Sequence, residues 1–301
     1  MPAPSRHRSH LPAIGLMLLA ILLFAVMDAL IKWQAATYPV LEIVFFRSFV
    51  GLFVLAVPLA RRGPRLLRSR HPWLHLLRGL LGLASLVGFF AAFAAMPFGD
   101  VYAISFASPL LTTALSVPLL GERVGWKRWI AVTVGLAGVL VMVRPGSGIF
   151  DLMALAALGA TLAYALANLL VRRMSRTETN VAIVFYSGLL SSLASGAALP
   201  FVWQTPAWAD LPWLVAIGLV GGLAHIVLTQ SFRLAPASTV TPFEYSGMLW
   251  AVLFGWLFWS EIPDLAFYAG AALVIGAGLY ILRREAIAAQ APPDRLPGES
   301  L

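Results

Sequence analysis

The sequence predicts an all-α membrane protein with ten transmembrane helices, arranged as two inverted five-helix repeats. Three observations support this prediction: an apolar composition, ten long apolar segments, and a similarity between the two halves at a spacing of about 139 residues. Of 301 residues, 60% are hydrophobic and only 11% are charged, whereas soluble domains carry about 25% charged residues. A lipid bilayer is therefore the expected environment of most of the surface.

Ten segments are apolar over about the 20 residues that a helix needs to cross a bilayer. The first continues through Asp28 and Lys32 and is too long for the apolar part of a signal peptide, so we interpret it as a span. The connections are short and leave no room for a soluble domain. The polar, proline-rich end of the chain predicts a disordered cytoplasmic tail at residues 285–301. The ten predicted spans are residues 11–33, 40–60, 73–95, 99–120, 127–144, 150–172, 180–203, 211–232, 238–259 and 265–283.

The formal net charge of +8 comes from basic residues that lie between the spans, so it indicates membrane orientation and no nucleic-acid partner. The connections on one side clearly hold only Arg144, with Lys32 near the boundary. Because bases accumulate on the cytoplasmic side, both termini are predicted in the cytoplasm and the protein in a bacterial inner (plasma) membrane. The bases on the other side are Arg6, Arg8, Arg61, Arg62, Arg65, Arg68, Arg70, Arg123, Lys127, Arg128, Arg172, Arg173, Arg176, Arg233, Arg283, Arg284 and Arg295.

The two halves align in order across five consecutive spans. FAVMDALIKW lies over YALANLLVRR, Pro97 over Pro236, and Glu122 over Glu261. The alignment predicts repeats at residues 11–144 and 150–284. Since five is odd, the second repeat must enter the membrane from the opposite side. Inverted repeats of this kind are typical of secondary transporters, which bind substrate near the membrane midplane between the repeats.

Several of these segments resemble a known family. MPFGDVYAISFASPLLTTALSVPLLGERVGWKRWIAVTVGLAGVLVMVRPG is similar to the first EamA domain of the drug/metabolite transporter superfamily, and FAVMDALIKW and FFRS fit its opening helices. A second EamA domain, with the weaker motif SEIPD, is recognisable from Tyr164 to Arg284. The resemblance implies a central cavity lined by the third, fourth, eighth and ninth helices, and transport of small organic metabolites without ATP. MDALIKW and FFRS look most like the branch of S-adenosylmethionine and riboflavin carriers.

Ionisable side chains inside a membrane are costly and therefore suggest function. Asp28 and Lys32 share a face of the first helix, and Arg47 is expected at a depth similar to that of Asp28. We predict that these three residues form a gate or ion pair. Two structural alternatives stay open: a local Asp28–Lys32 pair and a stabilising Asp28–Arg47 bridge.

A second group of polar and aromatic residues is predicted to bind substrate. His225 and Glu244 fall at similar depth and could meet across the cavity, to bind a cationic group or to carry a proton. Arg78 could instead extend to the membrane surface, and the aromatic members could serve packing alone. The predicted substrate-binding residues are Arg78, Ser85, Tyr102, Ser105, Tyr164, His225, Thr229, Glu244, Tyr245 and Trp250.

These features predict a secondary transporter that moves a small organic metabolite by alternating access. S-adenosylmethionine, riboflavin and amino-acid-like substrates stay open, as do proton coupling and exchange. A membrane-embedded enzyme and a structural or interaction protein are the alternatives, but no catalytic group, phosphate loop or metal-ligand cluster is evident, and the chain has no cysteine. The expected partners are a small-molecule substrate and the lipid bilayer. No cofactor or metal is expected, and monomer and homodimer are both open.

Overall fold

The structure, a computed structural model, describes residues 11–121, 124–143, 149–175, 177–235 and 237–290, and no β-strand occurs among them. Eight helices in these ranges are long and apolar enough to cross a membrane. The other two predicted spans are an 18-residue helix, Trp126–Val143, and a broken helix over residues 237–259. The all-α membrane fold predicted from composition is therefore confirmed.

The first repeat contains five spans, two of which are interrupted. The second span breaks at Leu55. The fourth breaks at Phe106 and Ala107, because Pro109 has no N–H to continue the ladder of the preceding helix. A short 3₁₀ helix, Pro64–Leu67, follows the second span. The helices are α1 (Leu11–Gln34), α2 (Val40–Val54), α3 (Ala56–Arg62), α4 (Pro72–Ala95), α5 (Phe98–Ser105), α6 (Ser108–Leu120) and α7 (Trp126–Val143).

The second repeat has the same plan. Its ninth span consists of α11, a 3₁₀ segment at Thr241–Ser246 and α12, and Pro242 lies at the start of the 3₁₀ segment. The last helix continues to Gln290, so the expectation of disorder from residue 285 is wrong for residues 285–290; residues 291–301 lie outside the described ranges. The helices are α8 (Ile149–Met174), α9 (Asn180–Val202), α10 (Leu211–Leu234), α11 (Ala237–Val240), α12 (Gly247–Trp259) and α13 (Leu265–Gln290).

Contacts between the repeats show an approximate twofold relation. The first span packs on the eighth, that is, α1 on α10. The equivalent contact in the twofold relation is that of the third span with the sixth, that is, α4 on α8. The second, fourth and fifth spans each pack on their own counterparts: α2 on α9, α5 on α12, and α7 on α13. Phe106 and Tyr245, which are 139 positions apart in the sequence, meet at the axis with ring centroids 5.2 Å apart. The predicted inverted-repeat architecture is confirmed.

The bundle has two chemically different ends. We call one the basic end because most described arginines lie there, at the ends of α3, α8, α10 and α13 and at the starts of α4 and α7. The opposite end carries Lys32 and Glu261. There, Glu42 is fully buried and accepts a hydrogen bond from the Gln204 N–H at 3.0 Å, which joins the two repeats.

At the basic end, Glu178 joins the two repeats. Its Oε1 accepts hydrogen bonds from the backbone N–H groups of Arg70 and His71, at 2.8 and 3.1 Å, in the connection before α4. Its Oε2 lies 3.4 Å from Nε2 of His75. Thr179 adds a bond from its hydroxyl to the Leu66 carbonyl at 2.5 Å. A single carboxylate therefore satisfies the free N–H groups where α4 begins.

The charge of Glu178 is expected to make stability depend on acidic pH. Burial by itself would raise the pKa of Glu178, but the backbone hydrogen bonds from Arg70 and His71 and the adjacent His75 side chain outweigh it, and the net pKa lies below its usual value of 4.5. A carboxyl with a depressed pKa contributes stability above its unfolded pKa and loses it as the pH falls through its folded pKa. Thermal unfolding in detergent should therefore show a steeper loss of stability below about pH 4.5 for the wild type than for Glu178→Gln. Parallel pH profiles of the two proteins would contradict this expectation.

Candidate functional site

A cavity of about 580 Å³ lies between the two repeats. Asp28 and Tyr102 line its deep part. The lining extends to the basic end of the bundle, where it includes Arg172 in the last turn of α8 and Leu282 of α13. The third, fourth, eighth and ninth spans contribute, as the family resemblance implies, and α1, α8 and α13 contribute as well. The lining also includes Phe24, Leu86, Phe89, Ser105, Phe106, Thr112, Thr113, Tyr164, Asn168, Phe232, Glu244 and Gly278.

A polar network lies beyond the deep part of the cavity, at the opposite end of the bundle. The Lys32 ammonium donates to Glu261 Oε1 at 2.7 Å and to the Met96 carbonyl at 2.6 Å. Oε2 of Glu261 accepts from the Phe98 N–H at 2.6 Å, in the first turn of α5, where such donors lack helical partners. The Trp259 ring lies 5.1 Å from the Lys32 nitrogen. The network thus ties α1, α5 and the end of α12 together.

The backbone after α12 directs Glu261 into this network. Ser260 adopts the left-handed region with φ of 54°, which ends the helix, and the Glu261 N–H bonds back to the Gly255 carbonyl at 3.0 Å. A Cβ at Gly255 would lie 3.1 Å from Oε2 of Glu261, so the glycine leaves room for the carboxylate. Lys32 and Glu261 also line a second, more open depression of about 420 Å³ at this end of the bundle.

Two carboxylates line the cavity. Asp28 accepts a hydrogen bond from the Tyr102 hydroxyl at 2.7 Å. Glu244 follows Pro242 in the 3₁₀ segment of the ninth span and has no hydrogen-bond partner among the described residues. Aromatic rings of Phe24 and Phe106 share the same wall. The arrangement can hold a cationic group at the acids and a planar group on the rings.

The structure brings together five of the predicted residues at the cavity wall: Asp28, Tyr102, Ser105, Tyr164 and Glu244. Tyr164 is 48% exposed, and because it lines the cavity, that exposure includes the cavity interior.

Three predicted substrate-binding residues are instead packed against protein. Ser85 is 4% exposed, the Tyr245 ring packs at a tilt against Phe106, and Trp250 packs against the Phe254 ring. None of the three is part of the cavity wall, so the structure favours the packing alternative for these side chains.

The described contacts of His225 do not include Glu244. The Nδ1 atom of His225 lies 2.9 Å from the Gly221 carbonyl of its own helix, and the imidazole packs edge-on against Phe24, 4.9 Å between centroids. Thr229 donates its hydroxyl to the His225 carbonyl at 2.8 Å. Similar depth therefore did not bring the two side chains together, because the direction in which each helix face points decides the contact.

Asp28 forms a salt bridge with neither of the two cations considered for it. Lys32 pairs with Glu261 of the other repeat and not with Asp28, which bonds to Tyr102. No salt bridge joins Asp28 and Arg47. Arg47 and Arg78 are half-buried, and neither forms a salt bridge or hydrogen bond with a described residue.

The functional contacts that sequence reasoning missed come from the second repeat and from the backbone. Glu261 was recognised only as the counterpart of Glu122, although a lone acid at the end of an apolar helix needs a cation nearby. The Met96 carbonyl and the Phe98 N–H are backbone groups, so the identity of the side chain gives no indication that they take part in the network. The sequence indicated only that Pro97, between these two residues, aligns with Pro236 of the second repeat.

Gly278 provides the space for the Tyr245 hydroxyl. A Cβ at position 278 would overlap that oxygen, whereas a Cβ at Gly276 meets nothing within 4 Å. We expect Gly278→Ala to destabilise the protein by about 1–3 kcal/mol through overpacking. Gly276→Ala on the same helix is the matched control and should be neutral or slightly stabilising, and adding Tyr245→Phe should recover part of the loss. Thermal unfolding in detergent measures all three; equal effects of the two alanines would contradict the expectation.

Ten spans in two inverted repeats around a polar, partly aromatic cavity are the architecture of a membrane transporter. A family model described as the EamA-like transporter family matches residues 11–144 and 151–283. The chain belongs to this family, and the protein is a membrane transporter rather than an enzyme.

Characterised relatives are similar over nearly the whole chain. The chain is 34% identical to the pseudopaline exporter CntI of Pseudomonas aeruginosa, over 89% of this chain and 95% of the relative. It is 27% identical to an S-adenosylmethionine uptake transporter of Rickettsia felis (92% and 95%) and 30% identical to a riboflavin transporter of Rhizobium johnstonii (89% and 90%). A crystal structure with 21% identity superposes with a TM-score of 0.62 over 92% of this chain and 99% of its own, which supports the fold.

Proposed function

We propose that the protein is a secondary transporter that carries a cationic, aromatic metabolite of the S-adenosylmethionine type by alternating access. The observation that carries this proposal is the pair of acids, Asp28 and Glu244, on a cavity wall that also carries aromatic rings. S-adenosylmethionine presents a sulfonium cation next to a planar adenine. An ionised carboxylate and an aromatic face are the groups that hold such a ligand.

Riboflavin is the second candidate, favoured by the hydroxyls of Ser105, Thr112 and Thr113 in the same cavity. Of these, Ser105 and Thr113 already donate to backbone carbonyls, at 2.7 and 2.9 Å. Their acceptor capacity is free for a ligand, but a neutral ribityl chain gives no reason for two acids. The named relatives include both kinds of carrier, so they do not discriminate between the candidates.

The Lys32–Glu261 network is the proposed gate. It lies between the deep part of the cavity and the opposite end, while the cavity lining reaches the basic end. In the alternating-access cycle, this network opens while contacts at the basic end close, and the two repeats rock about their shared axis. In this proposal, the two units that move relative to each other are the predicted repeats at residues 11–144 and 150–284.

The basic end is proposed to face the cytoplasm of a bacterial inner membrane. Arginines are concentrated there, and membrane insertion retains bases on the cytoplasmic side. Reporter tags after Arg61 and after Trp203 test this placement, since these residues end spans at opposite ends of the bundle. The first tag should report the cytoplasm and the second the other side; the reverse result would invert the orientation, and a shared side would contradict the inverted repeats.

Counterflow in proteoliposomes tests the substrate. Vesicles loaded with unlabelled S-adenosylmethionine should accumulate the labelled compound without ATP, and vesicles loaded with riboflavin should not accumulate labelled riboflavin. Riboflavin counterflow alone would overturn the proposed substrate while leaving a transporter. Imposing a pH gradient in place of internal substrate then separates proton coupling from exchange.

A further inference from the structure

The cavity wall carries one basic side chain, where its lining reaches the basic end. Arg172, in the last turn of α8, is the only lysine, arginine or histidine among the described residues that line the cavity. The next residue, Arg173, is also exposed at this end of the bundle but does not line the cavity. Retention of bases at one side of the membrane accounts for both arginines alike. Placement on the cavity wall distinguishes Arg172 from its neighbour.

Arg172 ends a polar row along one face of α8. Tyr164, Asn168 and Arg172 are four residues apart, so they lie on the same helical face, and all three line the cavity. At about 1.5 Å per residue, each step of the row is about 6 Å along the helix and the whole row about 12 Å. A hydroxyl, an amide and a guanidinium therefore follow one another along the cavity wall toward the basic end.

The repeat alignment gives this row a counterpart on α1. Because FAVMDALIKW lies over YALANLLVRR, the residues that correspond to the α8 row are Phe24, Asp28 and Lys32. The first two line the cavity. The Lys32 ammonium is instead bonded to Glu261 Oε1 at 2.7 Å, in the network at the opposite end. The same repeat position thus holds a cation in an ion pair at one end and Arg172, on the cavity wall, at the other.

The charges along the cavity are separated by sign. Asp28 and Glu244 are the acids of the wall, and Asp28 lies in the deep part together with Tyr102. Arg172 supplies the positive charge where the lining reaches the basic end. Because a few placed polar groups fix the orientation of a ligand, a molecule with a cation and an anion fits this wall with its cation inward and its anion toward the basic end.

We propose that Arg172 binds the carboxylate of the transported substrate and thereby selects zwitterions. A guanidinium holds a carboxylate through paired N–H···O bonds, which a neutral group of the same shape cannot accept as well. The proposal rests on the proposed transport function and narrows it to substrates with an ammonium or sulfonium group for the acids and a carboxylate for Arg172. S-adenosylmethionine meets this description, and riboflavin, which has no carboxylate, does not.

The charge that Arg172 presents to the cavity can be measured without any substrate. Asn168→Cys supplies one thiol on the cavity wall, about one helical turn from Arg172, because the chain has no cysteine. The labelling rates of two methanethiosulfonate reagents, one with a sulfonate and one with a trimethylammonium group, are compared on the purified full chain. At low ionic strength, Arg172→Gln should shift their ratio at least about threefold toward the trimethylammonium reagent. Arg173→Gln is the matched control and should shift it much less.

Equal shifts from the two glutamine variants would overturn the subsite, because both arginines would then act only through the general positive charge of the basic end. Arg172→Lys keeps the charge and should keep the ratio of the parent protein, so a loss there would also count against the proposal. If Asn168→Cys does not fold, Ser105→Cys places the thiol elsewhere on the same wall for the same comparison.

Transport provides the second readout. Decarboxylated S-adenosylmethionine keeps the sulfonium and the adenine and lacks only the carboxylate, so the wild type should accumulate S-adenosylmethionine at least about tenfold faster. Arg172→Gln should lose most of this preference, and Arg173→Gln should keep it. Arg172→Lys should keep only part of it, because lysine cannot form the paired bonds. A wild-type preference in Arg172→Gln, or in Arg172→Lys if the glutamine variant does not fold, would overturn the subsite.

Failure of the subsite can be told apart from failure of the proposed function. If neither compound accumulated, the proposed substrate would fail, while the ratio of labelling rates would still decide whether Arg172 presents its charge to the cavity. If S-adenosylmethionine accumulated and the preference for its carboxylate did not depend on Arg172, the transport function would stand and the subsite alone would fall.

Discussion

Glu244→Gln is expected to reduce transport to near background while the protein still folds. The side chain lines the cavity and has no partner in the described structure, so no internal salt bridge is lost when its charge is removed. A cationic substrate would lose one of its two carboxylate contacts. Charge-assisted hydrogen bonds contribute about 1.5–3 kcal/mol, which corresponds to a loss of affinity of roughly 10- to 100-fold.

Substrate affinity and counterflow should be measured together with thermal unfolding of the same preparation. Glu42→Gln is the control, because Glu42 is a buried membrane carboxylate that contacts Gln204 at the opposite end and does not line the cavity. It should lower stability and leave substrate affinity unchanged. Wild-type transport by Glu244→Gln would remove the acid site from the proposal.

Lys32→Met should open the deep end of the cavity to the opposite side of the membrane. The substitution removes the ion pair with Glu261 and the bond to the Met96 carbonyl, while methionine keeps much of the apolar stem. Removal of one partner from a partly buried ion pair leaves the other unsatisfied and typically costs several kcal/mol, about 3–5 in fully buried cases. The state with this network closed is therefore expected to lose a large part of its population.

The absence of cysteine from the chain makes this measurable. Asn168→Cys places a single thiol in the cavity wall, and a membrane-impermeant thiol reagent should label it from the basic side in the parent protein. With Lys32→Met added, labelling from the opposite side should rise at least about tenfold. Lys127→Met changes the chain's other lysine, at the start of α7, and should have no effect. Unchanged labelling with Lys32→Met would show that the network is not a gate.

The spans and their duplication were predictable because they depend on composition and periodicity. A bilayer requires long apolar helices with satisfied backbone groups, so α1, α4, α9 and α10 could be placed from apolar length alone. Breaks in two spans followed less directly. The fourth span was predicted as continuous, although Pro109 lies where it breaks, and the 3₁₀ segment at Thr241–Ser246 packs against α1 and α13.

Side-chain partners were predicted less well, because similar depth in the membrane does not fix the direction of a helix face. Asp28 and Lys32 share one face of α1, yet they bond to Tyr102 and Glu261 on two different elements. His225 was expected to meet Glu244 and instead bonds within α10 and packs on Phe24. Helical spacing gives the relative positions of residues on one helix, and the rotation of each helix about its axis comes only from packing.

The sequence by itself determined that this chain crosses a membrane ten times, that its halves are related by duplication with opposite insertion, and that acids and bases occur inside the spans. Those properties follow from residue type and order, because apolar length and the odd number of spans leave little freedom. Only the tertiary structure decided that Lys32 meets Glu261, that Asp28 bonds to Tyr102, and that Asp28 and Glu244 share a cavity. These contacts join residues up to 229 positions apart, and their geometry depends on how all the helices pack together.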